Sequence, residues 1–153
     1  MRKFDTQEYL NHAVDLLKNG IDNVPVPVTG YSMAPFLIEG DTVYLSLPDK
    51  QVKRGDIILY LRAGQRYVLH RVKKAENGIY SLIGDAQSVV EEGITNEMIY
   101  GIALSAVHKG KKINVKSSRW IFYASVWLAL IPCRKYIFAF RNFIKGNREK
   151  SHS

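Results

Sequence analysis

Apolar positions in the first twenty residues recur at helical spacing. Leu10, Ala13, Val14 and Leu17 fall at i, i+3, i+4 and i+7, which predicts an amphipathic helix over residues 4–19. Asp5 and Glu8 form a capping pair at its start, and Gly20 closes it. The segment is too polar for a signal peptide or a transmembrane anchor. Residues 1–22 are therefore expected to be a helix packed on the domain that follows. From Val24 the period shortens. VPVPV, TVYLSL, DIILYL, YVLHRVK, GIYSLIG and MIYGIALSAV are short β-rich runs separated by Gly, Pro and Asp, and KINV follows the turn at His108–Lys111. No helical stretch separates these runs, which excludes a parallel βαβ fold. A mainly β, antiparallel and barrel-like domain over residues 23–116 is the expected architecture. The two prolines of VPVPV confine that run to a sheet edge, where an extended peptide can add as a further strand.

The helical pattern returns near residue 117. WIFYASVWLALIPC, residues 120–133, contains no charge. As a helix, 14 residues span about 21 Å, short of a hydrocarbon core of about 30 Å. Pro132 and the pair Arg134-Lys135 interrupt its continuation into YIFAF. The expectation for residues 117–153 is a basic, aromatic, membrane-associating tail that is interfacial or re-entrant. A helical pair packed on the β-domain is the alternative.

Charge sharpens this division. The 153 residues hold 22 Lys and Arg against 14 Asp and Glu, a net charge of +8. Half of the cations but only one acid, Glu149, lie beyond residue 108, so residues 109–153 carry net +10 and residues 1–108 net −2. Such a tail suits an anionic membrane surface. Nucleic acid is not expected as a partner, because the aromatic run lacks the interleaved charge that such segments show. The single cysteine, Cys133, excludes an internal disulfide, and the scattered histidines at 12, 70, 108 and 152 give no local metal motif. No cofactor or metal is expected.

Candidate chemistry gathers in TGYSMAPFLIEGD, residues 29–41. Gly30 opens backbone angles closed to other residues, and Ser32 follows the edge strand directly. Gly40-Asp41 turns the chain into the next strand. A serine at such a junction can present its hydroxyl as nucleophile and its amide as oxyanion donor, the pair that acyl transfer needs. A base is then required. In YVLHRVK, His70 shares a face with Val68 and Val72, and burial there would keep it neutral. An orienting acid would complete the set. Asp85 in IGDAQ is the first choice, and Glu91 and Glu92 are the next.

These residues carry a resemblance. GYSMAPFLIEGD resembles the G-x-S-M-x-P…G-D box of the signal peptidase I and LexA-type serine peptidases, and KRGDIILY, VLHRV and GDAQ follow in that superfamily's order over residues 24–107. The resemblance implies the superfamily's β-rich fold with Ser32 as nucleophile. In bacterial-type signal peptidases and LexA-like proteins the base is a lysine, at the position held here by His70. Histidine there is similar to the endoplasmic-reticulum-type signal peptidases, in which an aspartate at or shortly after the G-D motif assists. Lys73 and Lys74 leave a Ser–Lys arrangement open, Lys74 being on the His70 face.

The expected function is a membrane-associated serine endopeptidase of signal-peptidase type, with Ser32, His70 and Asp85 as catalytic residues. Its partner would be a precursor protein or leader peptide bound as an extended strand. A dedicated leader peptidase and a non-catalytic peptide-binding module of the same fold are the alternatives.

Overall fold

The N-terminal pattern produces α1, Thr6–Lys18, where Asp5 caps the Gln7 amide at 3.0 Å and Gly20, at φ +79°, lets the chain leave the helix. A computed structural model describes residues 5–63 and 65–150; Phe4, the expected first helical residue, and His152 lie outside them. Leu10, Ala13, Val14 and Leu17, the four residues of the helical spacing, are all buried.

Eight strands follow among the described residues: β1 Val24–Pro27, β2 Thr42–Ser46, β3 Ile57–Arg62, β4 Arg66–Glu76, β5 Ile79–Ile83, β6 Glu91–Thr95, β7 Ile99–His108 and β8 Lys111–Asn114. Their order is β1-β2-β7-β3-β4-β5-β6, with β8 paired to β7, and every pairing is antiparallel. The fold is mainly β, as the alternation predicts. β1 stands at one end of the path, so one of its edges has no neighbouring strand. β6 was not expected. EEGIT offers one large apolar residue among two acids and a glycine, too little alternation to signal a strand.

Side chains of β3 divide two cores between the sheet's faces. Ile57 and Leu59 join α1, β1 and β2 in one apolar cluster, while Ile58 and Tyr60 join Val72, Leu82 and Ile94 in the other. The return from the edge strand into β2 is pinned by Asp41. Its carboxylate accepts from the Ile38 and Lys109 amides and meets His108 Nδ1 at 2.6 Å.

The segment expected as a tail divides in two. Residues 118–134 form α2 (Ser118–Phe122), a π-helical turn (Tyr123–Trp127) and a 3₁₀ turn (Ile131–Cys133) that are built into the domain. Trp120 is buried edge-on against Phe36 with ring centroids 5.2 Å apart, Leu128 is buried, and Arg119 donates to the Pro35 and Phe36 carbonyls. The packed domain thus extends past residue 116. α3, Arg134–Lys150, begins in the same packed region and is exposed from Lys135 to Gly146 apart from the half-buried Phe138.

Candidate active site

Ser32 is placed by a short helical turn that follows Gly30, whose φ of +74° only glycine adopts easily. Ala34 N donates to Tyr31 O and Leu37 N to Met33 O, which closes the turn around the serine. Met33, Phe36 and Leu37 anchor its underside in the core. Ser32 itself is half-buried. Among the described residues no hydrogen bond occupies its amide, so that N–H is free to serve an oxyanion.

The opposite side of Ser32 is held by the turn after β5. Ala86 N donates to Ser32 O at 2.9 Å, and Gln87 N donates to Gly84 O at 3.0 Å. Gly84 is required by this approach, since a Cβ there would lie 2.5 Å from Ser32 O.

His70 is supplied by β4, opposite Ile58 of β3, and only 1% of it is exposed. Burial drives its pKa down to about 4, a shift that the nearby Glu91 charge opposes and Arg62 reinforces. The imidazole is therefore neutral at neutral pH. Its Nδ1 lies 3.2 Å from the Tyr60 hydroxyl and 3.5 Å from Glu91 Oε1. Tyr60 also hydrogen-bonds Glu91, which in turn takes both Arg62 Nε, at 2.9 Å, and Arg62 Nη2. With the Tyr60 hydroxyl donating to the Glu91 carboxylate, its oxygen is left to accept from the imidazole, an arrangement that favours the tautomer with its proton on Nδ1. That leaves the Nε2 lone pair to accept a proton. Burial alone would raise the Glu91 carboxyl, but the hydrogen bonds from Arg62 and Tyr60 and the Arg62 charge hold it below the ordinary value. Glu91 is thus an anion at the back of the imidazole.

Ser32 and His70 line one cavity of about 780 Å³. The edge-strand residues Val26, Pro27 and Val28 form part of its wall, and the start of α1 another. Gln7 fixes that wall by exchanging hydrogen bonds with both backbone groups of Tyr67. Ser32 and His70 are not hydrogen-bonded to each other. Such contacts are commonly long before a substrate closes the site.

The Peptidase S24-like family model matches residues 3–104, two-thirds of the chain. The chain belongs to that family. No curated protein matches it. Membership makes this an S24-like domain of the LexA and signal-peptidase superfamily, whose chemistry is serine peptidase chemistry.

In this S24-like domain the carboxylate beside His70 is Glu91. Asp85, first choice from the sequence, is fully buried and pairs in bidentate fashion with Arg71 at 2.9 and 2.8 Å. Burial pushes its pKa up, and the guanidiniums of Arg71 and Arg134 pull it back. Its geometry still gives it a task. Arg71 follows His70 on β4 and Asp85 follows Gly84, so their pair ties the strand that carries His70 to the turn that supports Ser32. Glu92 is exposed, and Lys74 is exposed and paired with Glu76 Oε2 at 2.5 Å, so neither meets the imidazole. Among the described residues no group of His, Cys, Asp and Glu is arranged to hold a metal ion.

Sequence reasoning missed three residues of this site. Tyr60 and Arg62 lie in DIILYLR and read as ordinary strand positions, and only the β3–β4 and β5–β6 pairings bring them to His70 and Glu91. Arg134 is the third. Its side chain is fully buried and donates to Gly84 O at 3.2 Å, Gln87 O at 3.0 Å and Trp127 O at 3.0 Å, while Trp127 Nε1 donates to Asp85 O at 2.8 Å. The C-terminal segment therefore braces the turn behind Ser32.

Proposed function

We propose that this S24-like domain is a serine endopeptidase of signal-peptidase type, cutting a signal or leader segment from a precursor bound in extended form. The observation that supports this most is the shared cavity. It joins a serine with a free amide to a neutral, buried histidine backed by an anion, and it runs along an edge strand able to receive a peptide. Ser32 Oγ would attack the scissile carbonyl as His70 Nε2 takes its proton. The Ser32 amide would donate to the developing oxyanion. Glu91 would stabilise the imidazolium through Tyr60 and by its own charge, and Tyr60 would fix the ring's orientation. His70 then returns the proton to the departing amine, and water, activated by the same base, releases the acyl enzyme.

The test is cleavage of a model precursor by the full chain, with cut sites read by mass spectrometry. Wild type should cut at one position on the far side of the signal segment. Ser32→Ala and His70→Ala should lose activity by about 10³-fold or more while remaining folded. Retained cleavage by Ser32→Ala would overturn the proposal.

A further inference from the structure

α3 leaves an apolar stripe without a protein partner. Tyr136, Ile137, Phe140, Phe143 and Ile144 fall at i, i+1, i+4, i+7 and i+8, one face of a helix, and all five are exposed, Tyr136, Phe140 and Phe143 by about two-thirds each. Cations stand along the same helix. Lys135 lies over the Tyr136 ring and Arg141 over the Phe138 ring, and Lys145 follows one turn later. We propose that α3 docks flat on an anionic lipid bilayer, with the stripe in the headgroup–acyl boundary and the lysines and arginines on lipid phosphates.

Three observations select that occupant. Residues 109–153 carry eleven cations and one acid, so a second copy's tail would be repelled where an anionic surface would be attracted. Rings beside cations are the side-chain mixture of an interfacial helix. A helix of 17 residues is about 26 Å long, and no single helix among the described residues is long and apolar enough to cross a membrane. Ser118–Trp127 and Ile131–Gly146 would pass together by length and composition, bent by 73°. The first of these is already committed to the domain through Trp120, Arg119 and Trp127. That leaves α3 to meet lipid.

Docking would also orient the active site. α3 starts at Arg134, whose guanidinium is fixed on the carbonyls of Gly84 and Gln87. The helix on the bilayer and the turn behind Ser32 are thereby joined through one buried side chain. Precursors held at the membrane surface would be the substrates such an enzyme meets.

The experiment is co-sedimentation of the full-length Ser32→Ala protein with phosphatidylcholine vesicles and with phosphatidylcholine–phosphatidylglycerol vesicles. Using the inactive variant keeps the outcome independent of proteolysis. Preference for anionic vesicles by about tenfold or more, weakened by added salt, is expected. Adding Phe140→Glu and Phe143→Glu together should abolish binding without changing the circular-dichroism melt. Equal affinity for neutral vesicles, no binding to either, or binding that survives the double substitution would overturn the proposal. So would a dimer in sedimentation velocity that the double substitution dissolves, if vesicles are not bound, because the stripe would then join two copies of the chain.

Discussion

Arg71–Asp85 and Arg62–Glu91 are both paired through two guanidinium nitrogens, and both flank the strands that carry and support His70. They differ in surroundings. Arg71 and Asp85 have no exposed surface, and Phe36 lies 4.7 Å below the guanidinium. Glu91 and Arg62 are partly exposed and line a second cavity that shares Arg62 and Gln87 with the first. The sealed pair fixes two elements against each other, whereas the open pair places its charges beside the His70 imidazole. Burial and the third partner, not the pairing itself, distinguish the two carboxylates.

Substitutions should separate the two roles cleanly. Asp85→Asn leaves the Arg71 guanidinium buried without its counter-charge. The cost expected from breaking a sealed pair is about 3–5 kcal/mol, so the thermal midpoint should fall steeply and activity with it. Glu91→Gln should instead keep the melting profile within about 1 kcal/mol of wild type. Its cleavage rate should drop by about 10²- to 10⁴-fold, because the imidazolium loses its anion. Activity that survives Glu91→Gln and vanishes in a folded Asp85→Asn would reverse the assignment.

The same contrast shows what could be read from the sequence. Alternation in YVLHRVK placed His70 on a buried face, and the junction after VPVPV placed Ser32, because both signals are local. The carboxylate beside His70 was not local. Asp85 follows an obvious strand, whereas Glu91 sits on β6, whose poor alternation concealed it as a strand, and it reaches His70 only by pairing with β5. The C-terminal segment teaches the same lesson. Arg134 and Lys135 look equivalent in sequence as charges interrupting an apolar run. In the fold, one is sealed in a cradle of backbone carbonyls and the other is exposed. The aromatic, charge-free run that suggested a membrane segment owes part of its composition to packing on Phe36 and the Asp85 turn.

Gly84→Ala sharpens the comparison from the nucleophile's side. The new Cβ would press on Ser32 O, and a fall in kcat of about tenfold or more, with KM little changed, is the expected result of moving the serine. A fall confined to KM would place the effect on peptide binding instead.

The pH dependence is a finer test. With its pKa at about 4, His70 should remain an acceptor well below pH 6.5, so cleavage by wild type should persist until the pH falls to about 4. Glu91→Gln should move the acid limb lower still, and Arg62→Gln should move it higher, since those charges act on the imidazolium with opposite signs. In the unfolded chain the imidazole binds its proton near pH 6.5. Between about 6.5 and 4 the unfolded state therefore holds more protons than the folded one, and stability declines as pH falls through that window. An acid limb at 6.5 in wild type would mean that the ring is more solvated than its burial implies.

Tyr60→Phe should give the smallest change, a several-fold loss in kcat, as Glu91 keeps its direct approach to Nδ1. An undiminished rate would remove the hydroxyl from the base's support.

The most direct test of the whole arrangement needs no natural substrate. A serine-directed fluorophosphonate, incubated with the full chain at neutral pH, should form an adduct located by mass spectrometry on Ser32. Labelling should disappear in His70→Ala and slow in Glu91→Gln, with both variants folded. Labelling of Ser32 at the wild-type rate in His70→Ala would contradict the account, because the base would then lie elsewhere.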